Sequence, residues 1–317
     1  MSNFIKFKTA YFERIWGGHT FCNTFARKVS KSKFIGEAWD ITDRADVQSV
    51  AQNGKFKGLT LHQIISENPE YIMGAGWEAS RNFPIIVKWL DCSEILSLQV
   101  HPSKKSAKKY HTQTKNELWY FAKCSPKSLI LLGLKERSTS KEFADSIKRG
   151  NTEKLLNKIK THKGDVVFVP SGRVHSLGAG NLVLEIQQNS DTTYRVSDWG
   201  RVDKNGNARQ LHVKQSLESI DFNDTNIDVI KTQKQKNIEL CKTQDFSVVK
   251  TSLNKGEKIC SHKGNARVLS VVDGRLKIGR SVVKLSQNIL IPAEENIVAK
   301  ATETTTLLLT EIYSTKK

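Results

Sequence analysis

The sequence predicts a mainly β protein with a small helical insertion, built from two β domains. Three observations carry this expectation. Most periodic segments are short, rich in β-branched and aromatic residues, and bounded by turn formers, as at 83–90, 128–132, 165–169 and 182–187. Strand-like runs resume at 247–251, 268–272, 288–291 and 306–312, and many short strands at this spacing build a sandwich, a jelly roll or a barrel. The run Asp165-Val-Val-Phe-Val-Pro170 overlays Gln287-Asn-Ile-Leu-Ile-Pro292, and each copy is followed after a short turn by another apolar run.

The helical elements are fewer. A capping-competent Thr60 opens a helix over 60–67, and a short helix is expected over 103–110. The stretch 138–160 reads as two helices broken at Gly150-Asn151, the first capped by Thr139 or Ser140 and the second by Thr152. It forms the insertion. A further helix is expected over 209–220. The polar run 223–237 reads as a linker, which divides the chain into a metal-binding domain at 1–222 and a second β domain at 238–317.

Length and composition bound the class. A chain of 317 residues can hold two domains, and its apolar fraction of 38% with no long apolar run predicts a soluble protein without a membrane span. The N-terminus lacks the pattern of a secretory signal, and five scattered cysteines without a CxxC pair predict reduced thiols, hence a cytoplasmic protein. The net charge of +18 would suit a polyanion, yet basic residues are spread along the chain. The local cluster Lys104, Lys105, Lys108 and Lys109 has no interleaved aromatics and reads as a solvated helix face, so no nucleic-acid partner is expected.

Candidate chemistry sits at four positions. Gln99 and His101 are two apart in Leu96-Ser-Leu-Gln-Val-His101, so in a strand both project to one face. Glu117 opens the strand-like run Glu117-Leu-Trp-Tyr-Phe121, and His175 ends the turn Pro170-Ser-Gly-Arg-Val-His175. Two imidazoles, a carboxylate and an amide oxygen suit a divalent metal with a position left for water or substrate. If the internal repeat is real, Ile297 stands where the second copy would need the histidine, so that copy lacks the metal set.

These segments resemble the class I mannose-6-phosphate isomerases, particularly the short bacterial form. The resemblance is carried by Trp16-Gly-Gly18, Gly36-Glu-Ala-Trp39, Lys88-Trp-Leu-Asp91, the Gln99–His101 strand, Lys115-Asn-Glu-Leu-Trp-Tyr120, Pro170-Ser-Gly-Arg-Val-His-Ser-Leu-Gly178 and Glu185-Ile-Gln-Gln-Asn-Ser-Asp-Thr-Thr-Tyr-Arg195. It implies two cupin-like, double-stranded β-helix jelly-roll domains and one zinc per chain on Gln99, His101, Glu117 and His175. It further implies catalytic roles for Arg195, Lys115 and Asp191 and substrate-binding roles for Ser97 and Lys88. Thr114 replaces a histidine of longer members, which removes one candidate for proton transfer. The implied reaction interconverts mannose 6-phosphate and fructose 6-phosphate through a cis-enediol or enediolate, in mannose breakdown or in supply for GDP-mannose. A lysine of lowered pKa, a metal-activated water or Asp191 could be the base. The expected partner is a small sugar phosphate, and the expected state a monomer or homodimer. Two rivals stand beside this reading: a non-catalytic sugar-phosphate-binding cupin, and a metal-dependent cupin oxygenase, since two histidines and a carboxylate also describe the iron triad.

Overall fold

The computed structural model describes residues 3–202 and 205–313; positions 1–2, 203–204 and 314–317 of the expected domains lie outside the described residues. The strands are β1 (Ala10–Gly18), β2 (Ile35–Ile41), β3 (Ile85–Cys92), β4 (Leu98–Val100), β5 (Glu117–Cys124), β6 (Leu129–Leu134), β7 (Leu156–Lys160), β8 (Asp165–Val169), β9 (His175–Leu177), β10 (Asn181–Gln188), β11 (Tyr194–Ser197) and β12 (Ile230–Lys231). They continue with β13 (Asn237–Lys242), β14 (Phe246–Leu253), β15 (Lys258–Ser261), β16 (Ala266–Asp273), β17 (Arg275–Ile278), β18 (Ser281–Lys284), β19 (Asn288–Ile291), β20 (Ile297–Ala301) and β21 (Thr305–Ile312). The helices are α1 (Thr20–Asn23), α2 (Leu61–Glu67), α3 (Pro69–Met73), α4 (Lys104–Lys109), α5 (Ser140–Lys148) and α6 (Val213–Ser219). The fold is mainly β and cupin-like, as expected.

The chain forms two compact units. One comprises Met1–Tyr11, Ala38–Lys88 and Thr232–Lys317, the other Phe12–Glu37 and Trp89–Lys231. These ranges differ from the contiguous 1–222 and 238–317 expected of the sequence. N-terminal segments are built into the fold of the C-terminal strands: Ile5 and Leu290 exchange backbone hydrogen bonds of 2.8 and 2.9 Å, and the Asn288 amide donates to Asp40 at 2.6 Å. The expected linker at 223–237 contains strand β12, which pairs with β8, and Lys231 there meets Asp165 at 2.6 Å.

The second of these units carries the candidate site. It holds the five-stranded sheet β11-β4-β9-β6-β7, and β10, β5, β8 and β12 lie side by side in a seven-stranded sheet ordered β1-β2-β3-β10-β5-β8-β12. Trp119, Phe121, Val167, Val169 and Val183 from the larger sheet pack with Ile130, Leu132 and Leu177 from the smaller one. Period-two alternation then sends Leu98, Val100, Leu131 and Val196 to the opposite side, where Phe143 of α5, Leu217 of α6 and Ile220 cover them. Two glycines allow a close approach of backbones in this unit. A Cβ on Gly17 would lie 2.4 Å from the Gly36 nitrogen, and one on Gly36 would lie 2.6 Å from the Arg14 Cβ.

The insertion differs from its expected form. Thr139 caps α5 with a full capping box, its hydroxyl accepting from the Glu142 N–H at 3.1 Å while Glu142 accepts from the Thr139 N–H at 2.7 Å. After Gly150, however, only a 3₁₀ turn at Thr152–Leu155 forms, preceded by Asn151 without a side-chain cap. The expected second helix is therefore replaced by this turn and β7, which is hydrogen-bonded to β6 in the register Leu129↔Lys160 and Ile130↔Ile159. Edge pairing on an existing sheet satisfies those backbone groups and overrides local helix preference. The helix expected over 209–220 shortens to α6 because Arg209 is held by Asp198 instead.

In the other unit, Thr60 caps α2 through a capping box with Gln63. The strands form the sheets β13-β14-β21-β16-β19 and β15-β20-β17-β18. β19, Pro292 and a turn lead to Ile297, the first residue of β20, just as β8, Pro170 and a turn lead to His175, the first residue of β9. Ile297 is buried in an apolar core with Leu276, Ile278 and Ala299. The opposite face of the four-stranded sheet is basic. Lys258 pairs with Lys300 and Lys300 with Lys277, placing three exposed lysines in one row across three strands, with Arg275 and Lys284 paired beside them.

Candidate metal centre and active site

Cross-strand register gathers the site. In the smaller sheet of the second unit, Gln99 of β4 lies opposite His175 of β9 on one side and Arg195 of β11 on the other. Residues directly opposite share a face, so the three side chains form one row. His101 follows Gln99 by two positions and is fully buried. In the larger sheet, Glu117 begins β5, opposite Gln187 of β10 and Val169 of β8. The same faces that carry Phe121, Val167 and Val183 deeper in the core therefore turn polar at one end.

Each histidine is oriented by a backbone carbonyl. His101 Nδ1 lies 3.0 Å from the Thr192 carbonyl, and His175 Nδ1 lies 2.8 Å from the Arg173 carbonyl. A carbonyl only accepts, so Nδ1 carries the proton in both rings and Nε2 faces the centre. Arg173 is itself fixed by a two-bond fork to Asp224, at 2.6 and 2.7 Å. The Glu117 carboxylate completes the group, with Oε2 at 3.2 Å from His101 Nε2 and Oε1 at 3.3 Å from His175 Nε2.

These residues fit a metal ion on their own chemistry. Burial drives the His175 pKa down to about 3, with Glu117 opposing, so the ring is neutral and its Nε2 is an acceptor. That acceptor faces Glu117 Oε1, a buried carboxylate oxygen with no hydrogen-bond partner. Two acceptors at this distance call for a cation between them. Ligands held at about 2.0–2.1 Å in a tetrahedron lie roughly 3.3 Å apart, matching the observed separations. Burial raises the Glu117 pKa, but Lys115 and His101 outweigh that and hold it well below the usual carboxylate range, so it is ionised. The three ligand atoms lie within 4.8 Å of one another, and theirs is the one such cluster of His, Cys, Asp and Glu among the described residues. Gln99 Nε2 stands 3.1 Å from His175 Nε2 while its Oε1 accepts from Ser97 Oγ at 3.2 Å; a half-turn of the amide brings the oxygen to the centre.

Around this core the structure places the other expected residues unequally. Lys115, buried, reaches Glu117 Oε2 at 2.6 Å, His101 Nε2 at 3.3 Å and Glu185 Oε1 at 3.6 Å. Ser97 is joined to the set through Gln99. Arg195 donates to the Gln210 carbonyl at 2.7 Å, while its Nε has no hydrogen-bond partner. Its pKa is lowered by burial and by Arg209, with Asp198 opposing. Asp198 is bound instead by Arg201 and Arg209. Asp191 is exposed on the turn between β10 and β11. Lys88 lies buried on β3, its ammonium 5.2 Å from the centre of the Trp39 ring. Thr114 donates to Gln188 Oε1 at 3.4 Å and holds no place among the ligands.

Glu185 is a site residue that motif spacing did not single out. It sits opposite Trp119 across β10 and β5, accepts from the Trp119 indole at 3.0 Å and shares Lys115 with Glu117. A lone carboxylate inside the apolar run Leu182-Val-Leu-Glu-Ile186 was the available signal, since a buried charge needs a partner.

Antiparallel sheets packed around a buried His-Glu-His group with an adjoining glutamine define the class: a cupin-like protein with residues able to hold a divalent metal. The chain belongs to the type I phosphomannose isomerase family. The model of that family, "Phosphomannose isomerase type I, catalytic domain", matches residues 4–123. The mannose-6-phosphate isomerase ManA of Bacillus subtilis is 40% identical over 217 residues, 68% of this chain and 67% of the relative. YvyI of the same organism is 36% identical over 269 residues, 83% of each chain. Among solved structures, the mannose 6-phosphate isomerase from Bacillus subtilis superposes with a TM-score of 0.83 at 31% identity, covering 98% of this chain and 100% of that one.

Proposed function

We propose that this protein is a zinc-dependent mannose-6-phosphate isomerase, converting mannose 6-phosphate to fructose 6-phosphate and back. The observation that carries the reading is the convergence of Gln99, His101, Glu117 and His175 with Arg195 in the same cross-strand row, in a chain akin to enzymes of that name. The four residues would hold the ion, and the chemistry it supplies when bound is polarisation of the sugar carbonyl.

The chain's own residues do the rest. Isomerisation removes the proton on C2 of mannose 6-phosphate and returns one to C1 as the carbonyl moves from C1 to C2. Arg195, whose guanidinium donates to the Gln210 carbonyl, offers its charge to the enediolate oxygen that forms between these steps. Lys115, held between Glu117 and Glu185, presents N–H donors to a sugar oxygen. Ser97 donates from beside Gln99. Proton carriage between the two carbons lies with one of three groups: Lys115, Asp191 on the turn before Arg195, or a metal-activated water. The cysteines at 22, 92, 124, 241 and 260 are all unpaired, which supports placement in the reducing cytoplasm.

A phosphoglucose-isomerase-coupled assay on the purified protein tests the function. Turnover of mannose 6-phosphate is expected as isolated, to vanish on chelation and to return with zinc. A zinc-loaded protein that never forms fructose 6-phosphate would overturn the assignment.

A further inference from the structure

Gln187 is fully buried at the end of β10, directly opposite Glu117, yet it touches no candidate ligand in the hydrogen-bond pattern. Both donors of its amide go to one turn: Nε2 donates to the Ser190 carbonyl at 2.6 Å and to the Gln188 carbonyl at 3.0 Å. One side chain thus holds the carbonyls on either side of Asn189, and the Ser190 backbone N–H also closes on the Gln188 carbonyl at 2.7 Å. The Ser190 hydroxyl then accepts from the Thr192 N–H at 3.3 Å. Thr192 delivers the consequence, because its carbonyl is the acceptor that orients His101 through Nδ1 at 3.0 Å.

A continuous path of hydrogen bonds therefore runs from Gln187 through Ser190 and Thr192 to His101. The turn is further tied by the Ser190 hydroxyl, which donates to the Gln113 carbonyl at 3.5 Å, and by the Gln188 N–H, which donates to the Asn116 carbonyl at 3.0 Å. Asp191 lies between Ser190, whose carbonyl the amide holds, and Thr192, whose N–H meets the Ser190 hydroxyl, so the same amide helps set where that carboxylate stands. Gln188, pointing the other way, accepts from the Asn116 N–H at 2.8 Å and so steadies the segment that leads into Glu117. The adjacent glutamines thus divide the work, one toward the His101 support and one toward the Glu117 strand.

We propose that Gln187 is a positioning residue: through the 188–192 turn it holds the Thr192 carbonyl against His101 and fixes the direction of the His101 Nε2 lone pair toward the metal. The proposal rests on the metal-site reading above. Outer-shell partners of ligand histidines typically govern metal affinity by about 10- to 100-fold, and an anchor one step further out belongs at the low end of that range.

The test compares wild type with Gln187→Met, which keeps the length and loses both donors, and Gln187→Glu, which keeps the shape and loses both donors. Zinc affinity is read by competition with a chromophoric chelator, and coordination geometry by the visible absorption of the cobalt(II)-substituted protein. The expected result is about tenfold weaker zinc binding and altered cobalt bands in either folded variant. A purely structural role would lower the melting temperature and leave the cobalt spectrum as in wild type, and that outcome overturns the proposal. If wild type binds both metals and the variants match it, the inference alone falls. If wild type takes up neither metal, the metal-site reading falls and the inference with it. Should Gln187→Met fail to fold, the nearly isosteric glutamate variant supplies the comparison.

Discussion

His101→Ala should purify folded, with far less than one zinc per chain and no measurable isomerisation, whereas Glu117→Ala should lose both the metal and much of its stability. The difference follows from what each residue leaves behind. Removing the His101 ring takes away one nitrogen ligand but leaves Glu117 paired to Lys115 at 2.6 Å, a bond made with both side chains buried. Removing the Glu117 carboxylate strips Lys115 of its nearest counter-ion and leaves only Glu185, at 3.6 Å. Breaking a buried ion pair from one side costs about 3–5 kcal/mol, because the remaining charge stays out of water. Metal analysis of the purified variants, with urea unfolding followed by circular dichroism, separates the two. A His101→Ala protein with full zinc content would refute the assignment of that ligand. A Glu117→Ala protein as stable as wild type would refute the account of Lys115.

Arg195→Ala should behave in the opposite sense: zinc near one per chain, turnover reduced by about 10²–10³-fold. Arg195 shares the cross-strand row with Gln99 and His175, but its guanidinium donates to the Gln210 carbonyl and to none of the four candidate ligands among the described residues, so the ligand geometry does not depend on it. Nor does it stabilise through a carboxylate, since Asp198 is occupied by Arg201 and Arg209. A half-buried cation left in this condition is best explained by charge that develops during the reaction. Arg195→Lys should recover only a small part of the rate, because an ammonium lacks the planar fork of the guanidinium. Steady-state kinetics with parallel metal analysis decide it, and a fully active alanine variant would sink the proposed role.

Much of this site was legible in the sequence. The alternation Gln99-Val-His101 put two candidate ligands on one face; β4 carries Gln99 and ends at Val100, with His101 the residue that follows it. Glu117 begins a strand, as its run suggested, while His175, read from the sequence as the end of a turn, opens the short strand β9. What could not be read was convergence. The row Arg195–Gln99–His175 depends on the order β11-β4-β9, in which strands distant in sequence become neighbours. Glu185 escaped for the same reason, its meaning coming from Trp119 and Lys115 across the sheet. The supporting carbonyls of Thr192 and Arg173 carry no side-chain signature at all. The second expected helix failed differently: Leu155, Leu156 and Ile159 suit a helical stripe, but β6 offered that segment an open edge.

The lysine row on the four-stranded sheet has a consequence for how the protein responds to its solvent. Like charges placed directly opposite on adjacent strands repel, and water alone screens them poorly at low ionic strength. Lysines at sheet edges discourage edge-to-edge association, but Lys300 and Lys277 sit on the interior strands β20 and β17, where that service is not needed. Dissolved salt shortens the reach of this repulsion to about 8 Å at physiological strength and further above it. The unit formed by the C-terminal strands should therefore unfold at a higher denaturant concentration in 0.5 M salt than in 10 mM buffer, in the sense opposite to a domain held by surface ion pairs. Its resilience would track the saltiness of the medium.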